Sequence, residues 1–324
     1  MTIKEIYEPI REHLEEFDIY FKQKLNSNVS LISLIISYLT KKKGKQVRPA
    51  VVFLSAAACG EINERTYNGA AMVEMLHIAT LIHDDVVDEA DKRRGMASIN
   101  AAWNNKIAVL IGDFLLAKGM LSAIDNSEFN FLKATSNAVR RMSEGELLQI
   151  HNSRKHNIEL DVYFKIISNK TGSLLATCCE IGAISTNEDL TIQSNFKEFG
   201  ENLGIAFQIK DDILDYQGKS EILGKPIGND IKEKKITLPL IYSLSKSDKS
   251  EKKKIISLIK DGNLKRKDLN FIKDFVIKSG GMDYSEKIAK EYSIKAISYI
   301  ENIPDSIYKQ SLINFANFVI ERNI

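Results

Sequence analysis

Prolines are scarce in this chain and sit where helices would begin, which leaves little room for anything but long helices. Five occur in 324 residues: Pro9, Pro49, Pro226, Pro239 and Pro304. At a helix start the missing N–H costs nothing. Between the prolines, apolar residues recur at helical spacing. Ile10, Leu14, Phe17 and Phe21 mark one stripe of a first helix, and Asn28 to Thr40 reads as a second. A helix opens near Arg48-Pro49 and runs to Gly60, and Glu64 to Val87 reads as one long helix. Further helices are expected at about 104–124, 127–152, 159–183, 189–218, 237–246, 249–260, 266–279, 283–302 and 305–322. No stretch shows the period-two alternation of a strand, and residues 89–100 read as a polar loop. The expected fold is all-α, one domain over residues 1–324.

Two of these helical runs carry acids on an otherwise apolar background. Leu81-Ile-His-Asp-Asp-Val-Val-Asp88 sets Asp84, Asp85 and Asp88 in a DDxxD pattern, and Asp211-Asp-Ile-Leu-Asp215 repeats it with Asp211, Asp212 and Asp215. Positions i and i+4 share a helix face, so Asp84 pairs with Asp88 and Asp211 with Asp215. On the same wheels His77 falls close to the Asp84 direction and Gln208 close to Asp215. Buried carboxylates are costly unless paired or metal-bound. Hard oxygen ligands of this kind suit Mg²⁺, which takes a few carboxylates together with phosphate oxygens and water. Two such helices facing each other would clamp a diphosphate through Mg²⁺. A single copy would read as an acidic helix surface; two identical copies, each followed by basic residues, do not.

The formal net charge of +2 gives no bulk attraction for nucleic acid, so none is expected as a partner. The lysine runs 41–43 and 252–254 read as solvated helix ends or faces. The three cysteines, Cys59, Cys178 and Cys179, have neither an even number nor CxxC spacing, which fits a reducing cytosol and a cytoplasmic setting. The N-terminal MTIKEIYEPIREH has no signal-peptide core. Leu31 to Leu39, read as the longest apolar run, is too short and too serine-rich to span a bilayer.

Four polar clusters accompany the acids. Gly44-Lys45-Gln-Val-Arg48-Pro49 places Lys45 and Arg48 at a loop-to-helix junction suited to a phosphate group. Arg93-Arg94 follow the first acidic run. Lys170-Thr171-Gly172 interrupts an apolar helix, and Lys225, Lys232, Lys234 and Lys235 populate the stretch after the second.

GKQVRP (44–49), HIATLIHDDVVDEADKRRG (77–95), GDFLLAK (112–118), EGELLQ (144–149), NKTG (169–172), FQIKDDILDY (207–216) and GKPIGNDIKEKKITLP (224–239) occur in that order. Together they resemble the trans-isoprenyl diphosphate synthases of the polyprenyl synthetase family, most of all its long-chain, octaprenyl-like members. The resemblance covers residues 44 to 239. It implies a helical bundle around a deep central cavity, commonly a homodimer, and successive condensation of isopentenyl diphosphate onto an allylic diphosphate. The long product would serve quinone side chains and touch a membrane at most transiently. Two or three Mg²⁺ ions per site are implied, with Asp84, Asp88 and Asp211 as leading ligands and Asp85, Asp212 and Asp215 as ligands or their support. By the same resemblance Arg93, Lys170 and a lysine at 225 or 235 hold the allylic diphosphate. Lys45, Arg48, His77 and Arg94 form the cradle for isopentenyl diphosphate. Lys170, Thr171 and Gln208 act at the reacting centre, the last two presenting oxygens toward a developing cation. His83 has no such alignment and is expected to be structural, while Glu146 and Gln149 are placed in the cavity wall.

Product length in this family depends on the depth of the cavity below the first acidic run. Ala79 and Thr80 are small where short-chain members carry an aromatic floor, and Leu76 lies a turn deeper. The wheel turns Thr80 and Leu76 toward the cavity; the role of Ala79 is implied by the resemblance alone. Two departures stand out: Glu233-Lys234-Lys235 replaces a Glu-Gly-Lys, leaving open whether Lys234 or Lys235 reaches diphosphate, and Asn229-Asp230 replaces an Asp pair. Competing readings are weaker. A terpene cyclase would carry an Asn/Ser/Glu triad in place of the second acidic run, and a His-Asp phosphohydrolase would need more paired histidines than five allow. A non-catalytic subunit of a heteromeric synthase would lack the acids. A short-chain farnesyl or geranylgeranyl synthase would carry the aromatic floor.

Overall fold

The computed structural model describes residues 1–41, 44–93, 95–153, 159–217, 228–261 and 264–322. In chain order the α-helices are α1 (Ile3–Tyr7), α2 (Arg11–Lys24), α3 (Ser30–Thr40), α4 (Val47–Cys59), α5 (Glu64–Val87), α6 (Ile99–Ala102), α7 (Asn105–Asp125), α8 (Phe129–Ser153) and α9 (Leu160–Ile167). They continue with α10 (Ser173–Thr186), α11 (Leu190–Gln217), α12 (Asn229–Lys232), α13 (Leu238–Lys246), α14 (Lys249–Asp261), α15 (Arg266–Lys278), α16 (Gly281–Tyr299) and α17 (Ile307–Glu321). The expected helices are present to within a few residues. Four of the prolines fall as read: Pro9 opens a 3-10 turn, Pro49 lies in the first turn of α4, Pro239 opens α13, and Pro304 precedes α17. Pro226 lies outside the described residues.

Caps fix the helix that carries the first acidic run. The Asn63 side chain accepts from the backbone N–H groups of Arg65 and Thr66, and the Thr66 hydroxyl accepts from Asn63 N–H. This reciprocal box satisfies donors that a helix start leaves orphaned. At the other end Asp88 is the C-cap, its N–H bonded to Asp84 O at 2.8 Å. Between the caps α5 is buried around most of its girth, from Thr66 to Asp85, which is why its sequence shows no single apolar stripe.

The structure departs from the sequence reading in three places. The polar loop contains a two-stranded hairpin, β1 (Lys92–Arg93) with β2 (Met96–Ala97), paired Lys92↔Ala97 and Arg93↔Met96. Gly95, at φ 77°, supplies the left-handed residue such a tight turn requires; two-residue strands are too short to leave an alternation in the sequence. The helix expected over 159–183 is broken by a π-helical turn at Ser168–Gly172, where Ser173 N–H reaches back to Ser168 O. Among the described residues the longest apolar helix is α7 rather than Leu31–Leu39, and by length and composition alone it is long enough to cross a membrane. Lys106, Asp113 and Lys118 break its sequence into short apolar pieces, which hides its overall character.

The fold groups into two compact units: residues 1–139, 174–198 and 300–314, and residues 140–173, 199–299 and 315–324. The boundary falls inside α8, α10, α11 and α17. In the first unit α5 packs on α4 and α7, over a core that includes Phe17, Phe53, Leu54, Val73, Met75 and Phe131. In the second, Tyr216, Leu240, Ile255, Ile272 and Val276 form one cluster, and Tyr163, Ile205, Ile209, Ile213 and Leu238 form another. Each fully buried side chain of this size contributes about 1.5–3 kcal/mol.

Lys234 adopts φ 59°, the conformation a glycine would take without strain. Its ammonium donates to the Lys260 carbonyl at the exposed end of α14, at 3.0 Å. Lys234→Gly should therefore stabilise the fold by about 0.5–1 kcal/mol, relief of left-handed strain outweighing one exposed hydrogen bond. Denaturant titration checks it; a lower unfolding midpoint would contradict the strain.

Candidate active site

The C-terminal turn of α5 presents its three acids differently. Asp84 is half-buried, Asp88 is exposed, and Asp85 is buried. The hairpin folds Arg93 back onto Asp85: Arg93 Nε lies 2.8 Å from both carboxylate oxygens, and a terminal nitrogen lies 2.7 Å from Oδ1. Such a two-pronged contact is among the stronger charge-assisted pairs. It leaves Asp84 and Asp88, one turn apart, as the outward carboxylates. His77 is buried two turns upstream, its carbonyl accepting from Thr80 Oγ1 at 2.9 Å. His83 is turned away: its Nε2 contacts Val109 O at 3.2 Å and Asp113 at 3.5 Å, as expected for a structural histidine.

The loop before α4 is held by Gln46, which adopts φ 49° and donates to Asp18 Oδ1 at 2.7 Å. Lys45 on one side is exposed and Arg48 on the other is half-buried. Gln46, Asp85 and Arg93 line one cavity of about 150 Å³. Leu76 lines another of about 150 Å³, with Met72, Leu115, Gly119, Met120 and Val139. Leu76 lies two turns, about 12 Å, before Asp84 along α5. Ala79 is fully buried and Thr80 half-buried; neither is among the residues lining that cavity.

The second unit gathers the other polar residues. Lys170, Thr171, Gln208, Asp212, Asp230 and Lys235 line a single cavity of about 230 Å³. Thr171 Oγ1 donates to Gln208 Oε1 at 2.7 Å, and Gln208 Nε2 donates to Asp212 Oδ1 at 2.9 Å. The other Asp212 oxygen accepts from Tyr163 Oη at 2.6 Å. Asp212 is buried, and burial, then the charge of Asp230, pushes its carboxyl well above the usual carboxylate range. Lys170 Nζ pairs with Glu146 and with Gln149 Oε1 at 3.2 Å. Lys235 Nζ meets Glu233 at 2.5 Å, while its backbone N–H bonds to Asp230 O at 2.8 Å. Lys235, not Lys234, lines the cavity. Arg94 and Lys225 lie outside the described residues.

Asp211 has a partner no spacing announced. An Arg322 terminal nitrogen lies 2.6 Å from Asp211 Oδ1 and 2.9 Å from Phe207 O, and the guanidinium stacks on the Phe207 ring at 3.8 Å. Asp215 accepts from Asp230 N–H at 3.3 Å. The contributions of Tyr163, Asp230 and Arg322 come from distant positions that no local pattern connects; only Asp230 stood within a recognisable motif.

The donors fit Mg²⁺. Asp84, Asp88, Asp211 and Asp215 carry hard carboxylate oxygens on side chains that are not buried, whereas Asp85 is buried against Arg93 and Asp212 against Tyr163 and Gln208. Among the described residues no three acidic, histidine or cysteine side chains converge into a closed cage. Mg²⁺ seldom uses such a cage, keeping water and substrate oxygens in its shell.

Comparison with known proteins agrees with this chemistry. The Polyprenyl synthetase family matches residues 29–276. All-trans-nonaprenyl-diphosphate synthase (geranyl-diphosphate specific) of Rhodobacter capsulatus is 36% identical over 98% of each chain. Octaprenyl diphosphate synthase of Escherichia coli is 33% identical over the full length of both. A polyprenyl synthase from Caulobacter crescentus, crystallised with calcium and isoprenyl diphosphate, superposes with a TM-score of 0.92 at 31% identity, covering 100% of this chain and 98% of that one. With carboxylate pairs on two helices, a cavity lined by Lys170 and Lys235 beside the second, and matches spanning the whole sequence, this chain belongs to the polyprenyl synthetase family.

Proposed function

We propose that this chain is an all-trans polyprenyl diphosphate synthase. It joins isopentenyl diphosphate head-to-tail to an allylic diphosphate, repeatedly, to a product of about six to ten units suited to quinone side chains. The observation that carries this reading is the grouping of Lys170, Thr171, Gln208, Asp212 and Lys235 around one cavity in a chain whose full-length relatives are named as long-chain synthases.

Asp84, Asp88, Asp211 and Asp215 hold Mg²⁺ in this reading, two or three ions per site, with Asp85 and Asp212 fixed behind them. Mg²⁺ held there would supply positive charge to offset that of the departing diphosphate. Arg93 (which keeps its pair with Asp85), Lys170 and the lysine at 225 or 235 hold the diphosphate, Lys170 and Lys235 exchanging their present carboxylate partners for its oxygens. The allylic C1–O bond breaks with its electron pair on diphosphate, leaving an allylic cation. Thr171 and Gln208 offer oxygen dipoles rather than positive charge to that cation, a preorganised electrostatic effect. Lys45, Arg48, His77 and Arg94 hold isopentenyl diphosphate so that its double bond attacks C1, and the proton lost from the new unit passes to the released diphosphate. Ordering both substrates supplies the proximity term. The growing chain runs past Ala79 and Thr80 toward Leu76.

The whole of residues 1–324 acts as one domain, supported by the four helices whose sequence runs across the division into two compact units. It acts as a homodimer in the cytoplasm. Leu110, Leu121 and Ile124 are exposed along one stripe of α7, an apolar row of the kind that marks a protein contact. The three cysteines are free thiols, in keeping with a reducing compartment.

Asp84→Ala and Asp211→Ala should each reduce Mg²⁺-dependent incorporation of labelled isopentenyl diphosphate by about 10³-fold or more, with the circular dichroism spectrum unchanged; near-normal turnover in either would refute the metal role. Light scattering should give twice the 36.5 kDa chain mass, and Leu110→Glu with Leu121→Glu should give the single mass. A wild-type monomer would remove the dimer.

A further inference from the structure

The π-helical turn Ser168–Gly172 carries Lys170 and Thr171, and something must hold it open. A π turn inserts one residue into a helix, so the downstream helix is rotated by about 100° relative to an unbroken α-helix. In α register Ser173 N–H would bond to Asn169 O. Here it bonds to Ser168 O, and the abandoned Asn169 carbonyl accepts instead from Ser173 Oγ at 2.6 Å. The backbone alone does not favour this arrangement over the α-helix.

A half-buried ion pair outside the cavity grips the turn. Arg141 on α8 donates through Nε to Asn169 Oδ1 at 3.1 Å and through a terminal nitrogen to Ser168 Oγ at 2.8 Å. Its two terminal nitrogens also meet both oxygens of Glu201 on α11, at 2.7 and 2.6 Å. Ser168 Oγ closes the ring by donating to Glu201 Oε1 at 2.6 Å. The fork of one guanidinium thus joins α8, the first two residues of the π turn and α11. Backbones meet closely here: a Cβ on Gly204 would stand 2.7 Å from Gly172 Cα.

The clamp is wired to the site through the same helices. Glu201, Gly204 and Gln208 lie at i, i+3 and i+7, one stripe of α11. Gln208 receives the Thr171 hydroxyl, and Glu146 and Gln149, which receive Lys170, come after Arg141 on α8. Neither Arg141 nor Glu201 lines the cavity. We propose that Arg141 and Glu201 are positioning residues: their ion pair, bridged by Ser168, holds the π turn in register and so aims Lys170 and Thr171 at the reacting centre. The kinetic part of this inference rests on the proposed synthase activity; the structural part does not.

Arg141→Met should lower kcat by about 10- to 100-fold, the usual cost of a small misplacement at a reacting centre, while KM for isopentenyl diphosphate stays within about twofold. Arg141→Lys, which keeps the charge without the fork, should fail to rescue. Added to Lys170→Ala with Thr171→Ala, Arg141→Met should cost no more than about twofold further, because residues acting through one geometry are not additive. A kcat near wild type, rescue by lysine, or a full additional loss in that background would overturn the proposal. A crystal structure of Arg141→Met decides independently of activity: Ser173 N–H should return to Asn169 O, and an unchanged π turn would refute the clamp. Should Arg141→Met not fold, Ser168→Ala carries both tests, with kcat expected to fall about 3- to 10-fold and an unaltered turn and rate counting against the proposal. An inactive wild type in the same assay would condemn the proposed activity, leaving the crystal structure to judge the clamp.

Discussion

A carboxylate on an apolar helix must be paid for by a partner, and this molecule is arranged around supplying those partners. An unpaired ionised acid in such surroundings would shift its pKa or unfold the helix. Asp85 is held by both prongs of Arg93, and Asp212 by Tyr163 and Gln208. These contacts explain otherwise arbitrary features. The small hairpin closed by Gly95 exists to return Arg93 to the helix that precedes it. Tyr163 on α9 anchors Asp212 across 49 residues of sequence. With the inner acid of each motif fixed, the outer positions are the ones the proposed reading assigns to metal and diphosphate.

The cations obey the same logic. Arg93, Lys170, Lys235 and Arg322 each rest against a carboxylate of the same chain. Such pairs keep charge near the site without leaving it bare. Lys170 and Lys235, partly exposed beside partly exposed partners, are the two that the proposed reading exchanges for diphosphate oxygens.

The helices were readable because their signals are local: proline at starts and apolar spacing. The acidic motifs were readable because an i, i+4 pair is fixed by helix geometry alone. The assignment of outer and inner acids was not, since it depends on partners brought from elsewhere. The wheel aligned His77 with Asp84 but could not show that Arg93 belongs to Asp85. Arg322 stands at the end of a helix with no motif around it, and its pairing with Asp211 is purely tertiary. Lys234 and Lys235 are neighbours of the same type; only the left-handed backbone at Lys234, which sends its side chain to α14, separates them. The π turn was hidden for a related reason. Its residues Ser-Asn-Lys-Thr-Gly continue an apolar helical period on both sides, and the force that breaks the period comes from Arg141 and Glu201.

The central claim is that these carboxylates and cations build a long isoprenoid chain whose length is set along α5. The direct measurement is product analysis: wild type and Ala79→Tyr are incubated with farnesyl diphosphate, isopentenyl diphosphate and Mg²⁺, and the dephosphorylated alcohols are resolved by length. The account predicts a wild-type product of about six to ten units and a shorter one from Ala79→Tyr, since the family resemblance puts the floor of the path at this position. A wild-type product stopping at three or four units, or the same length from both proteins, would contradict the placement of the chain. Cyclised hydrocarbon or free phosphate without elongation would contradict the chemistry itself.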